Sequence, residues 1–124
     1  MTTNPLTVEK DKTVYEAATL MQHSHIRHIP ALYMGKIEGI LSMTDVNWCF
    51  AIKNADITKM KVYEAYTPNP VIFSPETPVD EVCREMAKHK IGCVLIADKE
   101  RLVGIFTWID ALHAMDELLH TRLN

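Results

Sequence analysis

The chain repeats itself without a gap at an offset of 65 residues: Asn4-Pro5 returns as Asn69-Pro70, Met21 as Met86, Gly39 as Gly104 and Asp45 as Asp110. Each copy carries one phrase, Gly39-Ile40-Leu41-Ser42-Met43-Thr44-Asp45 and then Gly104-Ile105-Phe106-Thr107-Trp108-Ile109-Asp110. Glycine, hydroxyl and carboxylate keep their spacing while the residues between them drift. Two copies of one supersecondary unit must fold on one plan. A unit of about 60 residues buries only about 60% of its unfolded surface and is marginal alone. The 124 residues are therefore expected to form a single module, with repeat one over about residues 4–60 and repeat two over about 66–124.

Each copy opens with a short extended segment, Pro5-Leu6-Thr7-Val8 or Pro70-Val71-Ile72-Phe73, and a polar turn. A helix is expected next, because Val14, Ala17, Ala18 and Met21 fall at i, i+3, i+4 and i+7, as do Val79, Val82, Cys83 and Met86. Thr13 with Glu16, and Thr77 followed by Pro78 and Asp80, mark the helix starts. Two apolar runs joined by a tight turn follow, Ile26 to Tyr33 with Ile37 to Ser42, and Ile91 to Ala97 with Leu102 to Thr107, which predicts a buried hairpin in each copy. A second helix closes each copy, Asp45 to about Lys53 and Asp110 to about His120, the latter with an apolar stripe at Leu112, Met115 and Leu119. The order is strand, helix, strand, strand, helix. Between the copies, residues 54–61 are polar, and Val62-Tyr63-Glu64-Ala65-Tyr66-Thr67-Pro68 is expected to hold a short helix or strand.

A net charge of −3 and 48% apolar residues describe an ordinary globular protein and argue against a nucleic-acid binder working through its overall field. No apolar run approaches the roughly 18 residues of a membrane span, and Met1-Thr2-Thr3-Asn4-Pro5 lacks the pattern of a secretory leader, so a cytoplasmic protein is expected. Cys49, Cys83 and Cys93 show no Cys-x-x-Cys spacing and sit in apolar contexts, which favours buried thiols over a disulfide or a zinc site. His23, His25 and His28 straddle a helix end and a strand with no acid or cysteine to complete a set, so no metal site is expected. Trp48, Phe50, Met43 and Trp108 are read as core or interface residues rather than as a stacking platform for nucleic acid. No residues are arranged to activate a nucleophile, and Asp45 and Asp110 belong to separate copies, so an enzyme is not expected.

The chemistry lies in Ser42-x-x-Asp45 and Thr107-x-x-Asp110, each where a strand runs into a helix. The structural reading is a capping box, with the hydroxyl at the N-cap and the acid at the third position. The motif recurs in both copies, each time with a glycine, Gly39 or Gly104, placed to admit close approach of a ligand to the strand. Free N–H groups at a helix start suit a phosphate, while a carboxylate accepts hydrogen bonds from neighbouring hydroxyls. Together they suit a nucleotide, with Asp45 and Asp110 toward ribose and Ser42 and Thr107 toward phosphate.

On these stretches, with Thr13-Val14-Tyr15-Glu16-Ala17-Ala18, Arg27-His28-Ile29-Pro30-Ala31, Tyr66-Thr67-Pro68-Asn69-Pro70 and Pro78-Val79-Asp80-Glu81, the chain resembles the tandem cystathionine β-synthase (CBS) domain pair, or Bateman module, over nearly its whole length. The family usually has Met where Tyr66 stands. The resemblance implies an α+β fold of two βαββα repeats related by a pseudo-twofold axis. It also implies clefts between the repeats for adenosine compounds: AMP, ADP, ATP, S-adenosylmethionine or NAD-type ligands. By the same resemblance Asp45 and Asp110 contact ribose, Ser42 and Thr107 lie near ribose and phosphate, and backbone at Val8, Phe73, Ile29 and Val94 lines the base pocket. Such modules commonly dimerise, so the expected partners are an adenosine ligand, a second copy and an unknown effector protein, with no required cofactor, nucleic acid or membrane.

The copies differ where phosphate charge matters. The first has Arg27-His28 and the second Gly92-Cys93, and Leu95 replaces Pro30, which leaves the second strand able to donate an N–H there. Two unequal sites are expected, although Arg27 reads equally as a solvated surface charge and His28 as a half-buried strand residue. The alternative to a ligand sensor is a scaffold for dimerisation or partner docking in which both motifs serve only as caps.

Overall fold

The computed structural model describes residues 1–51 and 54–123; the expected helix end at Lys53 lies outside them. In chain order the elements are β1 (Thr2–Thr3), β2 (Val8–Glu9), α1 (Val14–His23), β3 (His28–Tyr33), β4 (Lys36–Ser42), α2 (Met43–Ala51), a 3-10 turn at Val62–Glu64, β5 (Thr67–Pro68), β6 (Ile72–Phe73), α3 (Val79–His89), β7 (Cys93–Asp98), β8 (Arg101–Thr107) and α4 (Trp108–Leu123). The fold is α+β with two βαββα repeats, β2-α1-β3-β4-α2 and β6-α3-β7-β8-α4. The opening strands are shorter than expected. Pro5 and Pro70 have no N–H, and only the residues opposite β3 or β7 make a parallel ladder: Val8 with Ala31, and Ile72 with Leu95.

The first unit comprises Pro5–Pro70, with a sheet in the order β2-β3-β4-β5. Thr13 starts α1 as expected, its Oγ1 accepting from the Glu16 N–H at 3.1 Å. Thr13→Ala is expected to cost about 1 kcal/mol in a urea titration. The stripe Val14, Ala17, Ala18 and Met21 is buried, together with Val8, Ile29, Leu41, Val46, Cys49, Ile57 and Val62. The connector is thus part of this core. It supplies both the short helix and the strand that the sequence left open, and β5 pairs antiparallel with β4, Pro68 opposite Gly39 and Thr67 opposite Ile40.

The second unit comprises Val71–Asn124 with Met1–Asn4, and its sheet runs β1-β8-β7-β6. Here β1 takes the place of β5 at the 65-residue offset, Thr3 opposite Gly104 and Thr2 opposite Ile105. The short strand that precedes repeat one therefore completes the sheet of repeat two. The backbones repeat as closely as the sequences. Left-handed residues pair at the same offset, Asn4 with Asn69, His25 with Lys90 and Met34 with Lys99, and each hairpin is bulged at the same place, Ala31/Leu32 and Ile96/Ala97.

Two expectations fail in this unit. Thr77 does not cap α3; the N-cap is Pro78, which has no side-chain donor or acceptor, and the Thr77 hydroxyl lies 3.3 Å from that of Ser74. Of the predicted stripe, Val82 and Met86 are buried and Cys83 half-buried, but Val79 is 53% exposed because no segment among the described residues covers it. Leu112, Met115 and Leu119 form the expected apolar stripe on α4, and it is exposed, as are Trp108 and, in the first unit, Trp48 and Phe50. Among the described residues no helix is long and apolar enough to cross a membrane.

Candidate functional site

Ser42 and Thr107 are the last residues of β4 and β8, and Met43 and Trp108 begin the helices with no loop between. In the first repeat the capping box is complete: the Asp45 N–H donates to Ser42 Oγ at 3.1 Å, and Asp45 Oδ2 accepts from the Ser42 N–H at 2.9 Å. In the second, Asp110 Oδ2 accepts from the Thr107 N–H at 2.8 Å and from its hydroxyl at 3.3 Å. Each carboxylate commits one oxygen to its own junction. Asp45 Oδ1 has no partner among the described residues, whereas Asp110 Oδ1 faces the Met1 amino group at 3.5 Å.

The helix starts are less open than their sequence suggests. The Met43 N–H is bonded to Arg27 O at 2.9 Å and the Trp108 N–H to Gly92 O at 3.0 Å. What remains among the described residues is the Thr44 N–H in the first repeat and the Ile109 and Asp110 N–H groups in the second. The close approach at each glycine is made by the chain itself. A Cβ on Gly39 would meet Tyr66 Cδ2 at 2.5 Å and Thr67 O at 2.6 Å, and one on Gly104 would meet Met1 Sδ at 2.7 Å.

His28 stands opposite Ser42 in the β3–β4 ladder, and Cys93 opposite Thr107 in the β7–β8 ladder. Burial holds the His28 imidazole below its ordinary value and Arg27 adds to the effect, while Asp45 opposes them. Burial pushes the Cys93 thiol up to about 12, with Asp110 pushing the same way. At neutral pH neither carries charge, but only His28 can gain a positive one. The folded state holds His28 neutral where the unfolded chain, at about 6.5, begins to take up a proton. Its contribution to stability is present above that value and is lost as pH falls through the lower folded value. His28→Gln is expected to flatten that part of the pH–stability curve, measured by denaturant unfolding from about pH 7.5 to about pH 5.

Arg27 is exposed and Ile29 and Pro30 are buried; Val8 and Val94 are buried and Phe73 is half-buried. These side chains build the sheet and its core, which leaves backbone groups as the means of reading a ligand there. One such group was not singled out in the sequence. The Leu95 N–H donates to Val71 O at 2.9 Å, as the exchange of Pro30 for Leu95 predicts. At the offset position Pro30 has no N–H, and Leu6 O has no partner among the described residues. The signal was present in Pro30, whose missing donor frees an acceptor on the neighbouring segment. Cys49 is buried and Cys83 and Cys93 are half-buried, with no disulfide among the described residues. Among the described residues no group of His, Cys, Asp or Glu is disposed to hold a metal ion.

The CBS domain profile matches residues 1–48 and 62–117. The chain is 30% identical over 105 residues to the CBS domain-containing protein YhcV of Bacillus subtilis, covering 85% of this chain and 74% of that protein. It is also 29% identical over 104 residues to a homoserine O-acetyltransferase of Methanococcus vannielii, covering 83% of this chain but only 21% of the enzyme. The CBS domain pair of protein MJ0100, solved in complex with 5′-methylthioadenosine and S-adenosyl-L-methionine, superposes with a TM-score of 0.85 at 28% identity, covering 94% of this chain and 92% of that one. With both repeats matched and both hydroxyl–carboxylate junctions built alike, this chain belongs to the CBS domain family, as a CBS domain pair.

Proposed function

We propose that this chain is a regulatory module that binds an adenosine-containing ligand at its strand–helix junctions and passes the bound state to a partner protein. Asp45 carries the proposal: its Oδ2 is held by the junction, and its Oδ1 has no partner among the described residues. One carboxylate oxygen has lone pairs for both hydroxyls of a ribose. The Ser42 hydroxyl and the Thr44 N–H lie on the phosphate side, and the Leu6 carbonyl is an acceptor for an adenine amino group. The MJ0100 pair supports the class of ligand, since it binds two adenosyl compounds.

The first repeat is the stronger site on this reading, because Arg27 and a protonatable His28 have Gly92 and a neutral thiol as their counterparts. A phosphate near His28 favours the imidazolium, so AMP binding is expected to tighten as pH falls while 5′-methylthioadenosine binding does not. The test is thermal melting with adenosine, 5′-methylthioadenosine, S-adenosylmethionine, AMP, ADP, ATP and NAD. A ligand at 100 times its Kd stabilises by about 2.7 kcal/mol. No shift with any of them at millimolar concentration overturns the proposal. The exposed apolar face of α4 suits a second copy, and cysteines with no disulfide among the described residues suit a reducing compartment such as the cytoplasm.

A further inference from the structure

The two repeats differ in what covers the first turn of their first helix. In the first unit the connector lies there. The Val14 N–H donates to Met60 O at 2.8 Å, the Tyr15 N–H donates to Ile57 O at 3.0 Å, and the Val62 N–H returns to Lys12 O at 2.8 Å. Ile57 and Val62 sit in the core at 7% and 0% exposure, and Val14 is fully buried.

At the 65-residue offset the second unit has the same frame, and no segment among the described residues covers it. Val79 is 53% exposed where Val14 is at 0%. The Val79 and Asp80 N–H groups have no acceptor among the described residues. Beside them lies a cavity of about 480 Å³, lined by Thr77, Val79, Val82, Phe106, His113 and Ala114 among others. Its lining includes Asp110 and Glu117, and the connector that fills the matching groove carries Lys59 and Lys61.

We infer that this groove is a docking site for an extended segment of a partner protein with the connector's chemistry: two aliphatic side chains five residues apart, two lysines between them, and backbone carbonyls that accept from Val79 and Asp80. The first unit shows that such a segment fits this frame, because Ile57 to Val62 already fills its equivalent. Apolar burial drives the docking, and the two N–H acceptors set its register. The inference does not rest on adenosine binding, and because the groove shares Asp110 with the second strand–helix junction the test is run without any adenosine ligand.

The test adds a synthetic peptide of the sequence of residues 54–65 to the full chain. Calorimetry is expected to show saturable binding of one peptide per chain, and hydrogen exchange at Val79 and Asp80 is expected to slow by about tenfold or more. Peptides carrying Ile57→Asp or Val62→Asp are expected to bind about tenfold more weakly or worse. These changes leave the protein untouched, so misfolding cannot imitate the result. No saturable binding at millimolar peptide, equal binding by the aspartate peptides, or protection confined to Val14 and Tyr15 overturns the inference.

Discussion

Replacing Gly39 with alanine is expected to destabilise the protein by about 1–3 kcal/mol, the cost of forcing atoms into filled space. The new methyl group would meet Tyr66 Cδ2 at 2.5 Å and the Thr67 carbonyl oxygen at 2.6 Å. Thr67 belongs to β5, which is tied to β4 at Ile40, so the carbonyl can retreat only by lifting the edge strand. Tyr66 packs half-buried against the core and has little room to turn. Gly104→Ala is the control with the same chemistry. Its nearest neighbour is Met1 Sδ at 2.7 Å, the end of a flexible side chain, and the backbone oxygen of Thr2 stands off at 3.1 Å. Its cost is expected to be less than half that of Gly39→Ala. Urea unfolding of the two variants checks the contrast, and equal losses would show that backbone contact is not what decides the difference.

Asp45→Asn is expected to weaken adenosine-ligand binding about 100-fold, or about 2.7 kcal/mol, in keeping with loss of a charged acceptor shared by two hydroxyls. The unliganded protein should lose no more than a cap's worth, about 1 kcal/mol, because the amide oxygen can still accept from the Ser42 N–H. Asp110→Asn is expected to have the smaller effect on binding, since its free oxygen already faces the Met1 amino group and its repeat has no arginine or histidine at the matching positions. Calorimetric titration of both variants with the ligand found by melting decides the point. If Asp45→Asn binds as the parent does and shows only the loss of stability, the carboxylates are caps and the module is a scaffold.

Much of this was legible in the residues. The 65-residue offset reappears in the pairing registers, the bulges and the left-handed residues. The stripe Val14, Ala17, Ala18 and Met21 lies in the core. The Ser42 and Asp45 capping box forms as the spacing requires, because three residues bring an N-cap side chain and the third helical residue together by local geometry alone. Pro30 against Leu95 correctly forecast which strand would donate an extra hydrogen bond, because proline's missing N–H is a covalent fact.

Val79 shows where such reasoning ends. It occupies the same place in its stripe as Val14 and has the same side chain, yet one is buried and the other exposed. The difference lies in residues 56–65, which close over α1 and have no counterpart over α3 among the described residues. The filling of the space over Gly39 by Tyr66 and over Gly104 by Met1 belongs to the same class of fact, as does the burial of Ile57 and Val62 in a segment that reads as a connector. By itself the sequence determined the repeat, the hairpins and the paired junctions, because periodicity, capping and proline chemistry act within a few residues. Only the tertiary structure decided which strand completes each sheet and, among the described residues, which carboxylate oxygen stays unpartnered and which helix is left uncovered. Those outcomes depend on segments far apart in the chain competing for the same surface.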